Sequence, residues 1–444
     1  MKIQLSKPIT RGGGPSELLI WHPGRNRLRL TYRMPMSRDF IQILRGKSIA
    51  DLPKLVTRIC GICPVSHRIA AVKAIEIASS ISVPPLAETL RELAILGEII
   101  RSHAYSVFFC TSPDLLSFTE TLSRQDILGK GRIQQRLLSQ GMNLYRSAQE
   151  MVDTIAGNAN LAPAIVPGGF LRNITDEEQK EMRSSLQLGL AGIKWAKSFY
   201  KSTLNEIRDD ILPFYLESPL FVSCFDTKGH RFSGTDEVSI ISSDSNVSTF
   251  SSSVYPTHLK LRGKAEAPTR IIYSCKEEPS SPLLAGPHAR LAAIQNLSGQ
   301  KEDAARDGTN MFNAGLLRLD EMEFCTIRAL HLLDNIWKPD EETIATWDPI
   351  DGIGGGCVES SRGTLLYRLE VSASGLVNEI DICTPTELNA AAMIHVLTKV
   401  TEECSRLGWS DDRIINYGMM TIRCFDPCVS CATHSQTNIR HSQK

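Results

Sequence analysis

Hydrophobic residues recur at helical spacing along most of this chain. Residues three and four positions apart share one face of a helix, so this pattern predicts helices with one buried side. The stretches that carry it are residues 68–80, 86–109, 124–157, 175–209, 284–297 and 310–337. Helices of this length favour a bundle, so we expect a mainly α-helical protein.

Strand patterns are shorter and fall in three regions. Residues 1–35 and 363–383 alternate between apolar and polar side chains around central turn residues, which predicts hairpins. Residues 213–283 are rich in serine, threonine and β-branched residues, which predicts a small β-rich lobe with a mobile loop in its serine-rich part, residues 239–253. The predicted fold class is therefore α+β, with one domain over residues 1–444 that contains this lobe.

The composition is that of an ordinary globular chain. The 49 lysine and arginine residues balance the 49 aspartate and glutamate residues, so the charge gives no reason to expect a nucleic-acid partner. The sequence has no uninterrupted apolar run of about 18 residues, so we expect no membrane span. Its first residues lack the apolar segment of a secretion signal. We therefore expect a cytoplasmic protein.

Two Cys-x-x-Cys motifs, each followed by a histidine, lie near opposite ends of the chain. They read RICGICPVSH and DPCVSCATH, and their cysteines and histidines are Cys60, Cys63, His67, Cys428, Cys431 and His434. A tight turn leading into a helix brings residues i and i+3 together, so each motif can direct two sulfurs to one point. Two such pairs predict a buried four-thiolate metal site at the centre of the helix bundle, assembled by the fold from distant segments.

Spacing alone leaves three kinds of site open. A structural zinc site is the commonest outcome of two such motifs, although zinc ribbons usually close over about 15–20 residues. Four thiolates also suffice for an iron-sulfur cluster, and a catalytic transition metal is the third interpretation. The remaining cysteines are scattered singly, which predicts buried thiols in a reducing compartment; they are Cys110, Cys224, Cys275, Cys325, Cys357, Cys383, Cys404 and Cys424.

The two motifs resemble those of the large subunit of nickel-iron hydrogenases, and they are most similar to the cytoplasmic, bidirectional NAD-linked branch. Further matches lie between them, so the resemblance covers nearly the whole chain; they include residues 112–114, 167–169, 286–290, 362–363 and 384–386. The resemblance implies a catalytic subunit that cleaves H2 heterolytically, with a proton taken by a thiolate or a nearby base. The electrons would pass to an iron-sulfur partner.

The resemblance also implies a ligand set. Nickel would be bound by all four cysteines, with Cys60 and Cys428 terminal and Cys63 and Cys431 bridging to an iron that carries carbon monoxide and cyanide. Cys428 would also take part in catalysis. His434 would be a residue of the metal site, and both His67 and His434 would support the thiolate ligands or a magnesium site.

Three further residues fall on functional positions of that family. Arg362 falls on the arginine above the iron, and Asp114 on an aspartate that orients an arginine there. Thr386 falls on a hydroxyl residue that hydrogen-bonds an iron-bound cyanide. The ordinary alternatives are a solvated surface charge for Arg362 and a helix N-cap for Thr386.

Two departures from the family pattern favour a different class of function. The family's proton-transfer glutamate falls on Gly13, and the glutamate that helps to hold magnesium falls on Ile41. Glu17 lies close in sequence to Gly13, but it could replace that glutamate only if the backbone were rearranged. The alternative is a hydrogenase-like assembly scaffold or non-catalytic paralogue, and retention of all four cysteines opposes it.

The resemblance implies several partners. They are a small subunit that carries iron-sulfur clusters, diaphorase-type NAD(P)-binding subunits, a maturation endopeptidase and nickel-insertion proteins. The endopeptidase would remove residues 435–444 after His434. The glycine-rich residues 351–357 are not followed by Gly-Lys-Ser/Thr, so we expect nicotinamide binding on a partner and not on this chain.

Overall fold

A computed structural model describes most of the chain. The described residues are 5–24, 27–34, 40–122, 127–206, 215–228, 231–242, 244–262, 271–274, 281–298, 310–335 and 341–432. The predicted site residue His434 and the predicted cleavable segment 435–444 lie outside these ranges, and so does Cys275.

Helices dominate the described part. The α-helices are α1 (Phe40–Leu44), α2 (Leu52–Val56), α3 (Pro64–Ala78), α4 (Pro85–Ala104), α5 (Ser112–Leu122), α6 (Ile127–Ala156), α7 (Asp176–Glu206), α8 (Pro287–Ser298), α9 (Ala314–Asn335), α10 (Pro385–Leu388), α11 (Ala390–Arg406), α12 (Asp411–Phe425) and α13 (Val429–Ala432). A π-helix, Tyr105–Thr111, joins α4 to α5, and short 3-10 helices cover Ser252–Thr257 and Met311–Asn313.

The strands form small sheets. They are β1 (Leu5–Pro8), β2 (Glu17–Gly24), β3 (Arg27–Arg33), β4 (Ile165–Val166), β5 (Gly169–Phe170), β6 (Leu220–Ser223), β7 (Glu237–Ile241), β8 (Val247–Ser251), β9 (Leu259–Arg262), β10 (Ile271–Ser274), β11 (Leu283–Leu284), β12 (Gly352–Ser360), β13 (Gly363–Val371) and β14 (Val377–Cys383). The sheet orders are β1-β2-β3, β4-β5, β11-β6-β7-β8, β10-β9 and β12-β13-β14. The predicted α+β fold class is confirmed.

One local prediction is refined and one is wrong. The sequence predicts one helix over residues 86–109, and a continuous helical run covers them, α-helical to Ala104 and π-helical from Tyr105. The serine-rich part of the lobe is predicted to be a mobile loop, but β7 and β8 form an antiparallel hairpin there, in which Val238 faces Phe250. Both side chains are buried, so alternation of apolar residues outweighed the serine content.

The glycine-rich strand β12 brings its sheet close to α3. A Cβ atom on Gly354 or Gly356 would lie 2.0 Å from the carbonyl oxygens of Ala74 and Ala70 respectively. Glycines two residues apart on β12 therefore face alanines four residues apart on α3, because these two spacings span a similar length. These glycines serve close packing of the helix on the sheet.

The helix run through α4 combines length with an apolar composition. By length and composition alone, Pro85–Ser117 could cross a membrane, but 89% of its most apolar window is buried inside the protein. It contacts α6 and α9, and buried aliphatic residues from all three helices pack beside α3. These contacts make it a core helix of the protein. The segments that carry the cysteines lie beside it.

Candidate metal centre

The fold brings the four motif cysteines to one point. The Sγ–Sγ distances are 3.1 Å for Cys60–Cys63, 3.3 Å for Cys60–Cys428, 3.4 Å for Cys63–Cys431 and 3.1 Å for Cys428–Cys431. All four sulfurs lie within 4.8 Å of one another. Each cysteine is at most 4% exposed. This is a closed cage of soft donors, which suits a thiophilic transition metal.

The first cysteine pair is positioned by the start of α3. Cys63 is the N-cap of that helix, and the backbone N–H groups of Ile62 and Cys63 donate to Cys60 Sγ over 3.2 and 3.3 Å. Pro64 occupies the first helical position, where its fixed φ favours helix initiation. The local sequence therefore forms the turn that directs both sulfurs inward.

A buried carboxylate from α4 holds this turn. Glu98 accepts hydrogen bonds from the N–H groups of Val65 (2.8 Å) and Ser66 (3.1 Å), and from the Ser66 hydroxyl. These are free donors of the first turn of α3, so Glu98 caps the helix from outside it. Burial raises the pKa of the Glu98 carboxyl. Arg101, one turn later, donates to the carbonyl of Ile62 at 2.8 Å.

The second cysteine pair is held by contacts from distant parts of the chain. Helix α12 ends at Phe425, its C-cap residue Asp426 adopts a left-handed conformation with φ 50°, and the short helix α13 follows Cys428. The N–H of Cys428 donates to Thr386 Oγ1 at 3.0 Å. The N–H of Val429 donates to the carbonyl of Gly13 at 3.1 Å. Two segments far away in sequence therefore fix this loop.

Gly13 leaves no space for a side chain. A Cβ atom there would lie 2.7 Å from the Pro427 carbonyl oxygen and 3.2 Å from Cys428 Cα. The neighbouring carboxylate, Glu17, points elsewhere: it pairs with Arg33 at 2.6 Å across strands β2 and β3. This hydrogen bond lowers the pKa of Glu17. Glu17 therefore does not replace the family's proton-transfer glutamate in this structure.

Arg362 lies at the metal centre and not at the surface, which contradicts the ordinary alternative for a lone arginine. It is 4% exposed, and its guanidinium contacts the Asp426 carboxylate at 3.0 Å and donates to the Asp426 carbonyl at 2.7 Å. Its Nη1 donates to the hydroxyls of Ser102 and Ser361, each at 3.2 Å. Burial alone would lower the pKa of Arg362, but Asp426 and the thiols of Cys428, Cys63 and Cys60 together raise it. A permanent positive charge therefore faces the thiols.

Asp114 contacts different arginines from the one suggested by the family pattern. Its carboxylate accepts hydrogen bonds from Arg423 Nε (2.6 Å) and Nη2 (2.9 Å), and from Arg11 Nη2 (2.5 Å). Asp426 is the partner of Arg362 instead. Because Arg423 also donates to the Thr10 carbonyl, Asp114 fastens the N-terminal segment to α12. It supports the backbone of Gly13 from a distance.

Thr386 is not the N-cap of its helix, so that alternative is wrong. Thr384 occupies the cap, in a capping box with Glu387. Thr386 lies in the first turn of α10, 2% exposed, and its hydroxyl oxygen accepts the hydrogen bond from the Cys428 N–H. Its own proton is still available for a further acceptor. Thr386 therefore lies against the second cysteine pair.

His67 contacts the cage directly. Its Nε2 lies 3.4 Å from Cys431 Sγ, and its Nδ1 lies 2.7 Å from the Tyr367 hydroxyl. Burial lowers the pKa of His67 to about 4, so the imidazole is neutral near pH 7. It can thus donate one hydrogen bond and accept another.

The thiols interact strongly with one another. Hydrogen bonds from Cys431, Cys60 and Cys63 lower the pKa of Cys428. Hydrogen bonding to Cys428 raises the pKa of Cys431 in turn. A bound cation would offset this mutual repulsion and let all four sulfurs ionise.

Ile41 provides no metal ligand. It is 4% exposed in α1 and packs in the same apolar cluster as Leu44 and Ile49. Within the described ranges, the four cysteines are the only group of three or more histidine, cysteine or carboxylate side chains placed to share an ion. Ile41 and the apolar residues packed around it therefore do not fit a magnesium site.

Several residues of the centre were not singled out from the sequence. Glu98 and Ser102 lie within the apolar stretch of α4, where a charged or hydroxyl residue is a detectable anomaly. Asp426 stands inside the second motif itself. Tyr367 lies on β13, where alternation predicts burial but nothing indicates that it meets His67.

Comparison with known proteins identifies the family to which this arrangement is similar. A family model described as nickel-dependent hydrogenase matches residues 38–182. The chain is 25% identical to a chain of the F420-non-reducing hydrogenase vhc of Methanococcus voltae, over 97% of this chain and 94% of that protein. It is also 25% identical to the alpha chain of sulfhydrogenase 1 of Pyrococcus furiosus, over 95% of each chain.

Solved structures show the same fold. An NAD+-reducing [NiFe]-hydrogenase in the H2-reduced state matches with a TM-score of 0.86 and 24% identity, over 97% of this chain and 99% of that chain. The Ni-Fe-Se hydrogenase from D. vulgaris Hildenborough matches with a TM-score of 0.78 and 19% identity, over 97% and 99%. The likeness extends over nearly the whole chain.

Proposed function

We propose that this chain belongs to the nickel-dependent hydrogenase family and is the catalytic large subunit of a nickel-iron hydrogenase, an oxidoreductase that reversibly cleaves H2. The observation that carries this proposal is the cage of four buried sulfurs faced by the guanidinium of Arg362. A structural zinc or iron-sulfur site needs only the thiolates. A buried cation held over them is what a charge-changing reaction uses.

The donor set fits nickel and iron. Soft thiolates tolerate redox changes at a transition metal. The four sulfurs lie 3.1–3.4 Å from their neighbours, so some of them can bind one metal terminally while others bridge it to a second metal. Cys60, Cys63, Cys428 and Cys431 would hold the pair, and the bound centre supplies the redox chemistry of H2 cleavage. Carbon monoxide and cyanide on the iron would complete it, with the hydroxyl of Thr386 as a donor to one of them.

The protein's own groups hold charge and exclude water. Arg362 keeps its proton, so it stabilises negative charge that develops beside the cage without itself titrating. Asp426 fixes its orientation through the charged contact at 3.0 Å. The low exposure of all four cysteines keeps water away from the reacting centre, which strengthens these interactions.

Protons leave by a route that differs from the family pattern. Gly13 has no side chain, and Glu17 is paired with Arg33 away from the cage. Magnesium has no part in the proposal, because Ile41 offers no oxygen ligand. These two departures favour the scaffold alternative, but a scaffold has no chemical need for four inward-facing thiols and a buried arginine.

Electron transfer requires a partner. The other cysteines of the described chain are buried free thiols, and although Cys224 and Cys357 hydrogen-bond to each other, none of them belongs to a second group placed to share a metal ion. A small subunit with iron-sulfur clusters would therefore accept the electrons, and diaphorase-type NAD(P)-binding subunits would be a further part of the complex. The same proposal includes a cytoplasmic location, nickel-insertion proteins and a maturation endopeptidase that cleaves after His434.

Metal content and infrared absorption of the purified complex test this function. We expect one nickel and one iron per chain, with bands between about 1900 and 2100 wavenumbers where metal-bound carbonyl and cyanide absorb. Zinc alone with no such bands would contradict the proposal and identify a structural site. The variant Cys63→Ser should lose both metals and the bands, whereas the buried single thiol variant Cys404→Ser should keep them.

A further inference from the structure

A buried hydrogen-bonded chain runs from Tyr367 through His67 to the cage. The Tyr367 hydroxyl lies 2.7 Å from His67 Nδ1, and His67 Nε2 lies 3.4 Å from Cys431 Sγ. Both Tyr367 and His67 are 0% exposed. The rings meet edge to face, with centroids 6.0 Å apart at 76°. Solvent water therefore cannot hydrogen-bond to these groups in place of their protein partners, so the position of each proton decides which hydrogen bonds form.

The phenol determines which imidazole nitrogen carries the proton. Burial raises the pKa of Tyr367 well above its ordinary value, so its hydroxyl keeps its proton. A buried hydroxyl donates that proton wherever an acceptor lies within reach, and His67 Nδ1 is that acceptor. A neutral imidazole that accepts at Nδ1 carries its hydrogen at Nε2, which faces Cys431. The opposite tautomer would aim an imidazole lone pair at the sulfur.

The fold keeps these two residues in place. Tyr367 pairs with Gly356 across β12 and β13, and Gly356 packs against the Ala70 carbonyl of α3. His67 lies one turn before Ala70 on the same helix. Close packing of α3 on the glycine-rich strand therefore sets the distance between the phenol and the imidazole.

We propose that Tyr367 is a positioning residue that fixes the tautomer of His67, so that Nε2–H donates a hydrogen bond to the sulfur of Cys431. This inference rests on the proposed function, in which Cys431 bridges nickel and iron. A hydrogen bond to a bridging thiolate withdraws electron density from the sulfur and hence from the iron. Tyr367 thus tunes the electronic state of the centre without touching it.

The test compares Tyr367→Phe with a matched deletion elsewhere. Tyr200 is also buried, and its hydroxyl bonds to Ser112 and the Val107 carbonyl in a cluster that contains no cage residue. Each variant loses one buried hydroxyl from the complete hydrogenase complex. Metal content, thermal midpoint and infrared bands are measured for both, together with His67→Gln and the combination of Tyr367→Phe with His67→Gln.

We expect the carbonyl band of Tyr367→Phe to move to lower wavenumber at unchanged metal content, because a more electron-rich iron donates more density into carbon monoxide. Tyr200→Phe should leave the band in place at a similar loss of thermal stability. In the His67→Gln background, Tyr367→Phe should cause no further shift, since both residues act through one hydrogen bond. Coincident bands for Tyr367→Phe and the wild type would overturn the inference alone, whereas a wild type without bands would overturn the proposed function as well.

Discussion

The two cysteine pairs reach the same point in different ways. Cys60 and Cys63 are held by their own turn, by the start of α3 and by Glu98 on the next helix. Cys428 and Cys431 depend on Gly13 and Arg362, together with Thr386. The first half of the site is therefore built almost locally, whereas the second half forms only when the whole chain has folded. Metal loading requires both, so the second half is the more vulnerable one.

Loss of the buried charge in the second half should have the largest effect. Arg362→Met leaves the Asp426 carboxylate buried without its counter-ion, which costs about 3–5 kcal/mol in the free energy of unfolding. Hydrogenase activity should disappear as well. Urea unfolding and H2 oxidation with an artificial acceptor measure the two effects.

A double variant separates the effect of an unpaired buried charge from the effect of altered packing. Arg362→Met combined with Asp426→Asn removes both charges and should recover a large part of the lost stability. Activity should not return, because the cation over the cage is still missing. Equal instability of the single and double variants would show that Arg362 acts through packing.

A substitution in the first half of the site should reduce stability in a different way. Glu98→Gln replaces a carboxyl group that accepts three hydrogen bonds by an amide that cannot satisfy both N–H groups and the hydroxyl, and a buried donor left unsatisfied costs about 1–3 kcal/mol. The loss should be equally large in metal-free and metal-loaded protein, because this cap does not depend on the second half. Glu403→Gln on the exposed face of α11 is the control, and it should change the unfolding midpoint little. A loss confined to the loaded protein would contradict the local character of this half.

Much of the first half could be predicted from sequence, for the same reason that it is stable locally. The turn, Pro64 and the helix follow from neighbouring residues. The second motif was recognisable as a string, but its supports were not: Asp426 was not identified as the partner of Arg362, and Asp114 proved to bind Arg423 and Arg11. Pairings between distant charged residues are set by how helices pack, and no local pattern encodes them.

Backbone contact in the second half gives a smaller and more selective effect. Gly13→Ala places a Cβ atom 2.7 Å from the Pro427 carbonyl oxygen, so the loop that carries Cys428 must shift. Such overpacking costs about 1–3 kcal/mol, and we expect reduced nickel content as the main result. Gly12→Ala is the matched control, since a Cβ atom there meets nothing within 4 Å. Full nickel loading of Gly13→Ala at the wild-type melting temperature would show that the loop tolerates displacement.

Metal removal should show, without any mutation, that the second half of the site depends on other parts of the fold more than the first half does. In the second half, the N–H groups of Cys428 and Val429 depend on Thr386 and Gly13, and α13 has only four residues. A helix so short has no stability of its own. The N–H groups at the start of α3 are held by Glu98 whether or not metal is bound.

Hydrogen exchange measured by mass spectrometry on loaded and chelator-treated protein reports both halves at once. We expect exchange in the peptide that contains residues 428–432 to rise by about tenfold or more, which corresponds to about 1.4 kcal/mol of lost local stability. The peptide that contains residues 64–67 should change by less than about threefold, because its hydrogen bonds survive local opening of the cage. Equal acceleration in both peptides would mean that the metal, and not Glu98, holds the first half as well. The two cysteine pairs would then form a single cooperative unit.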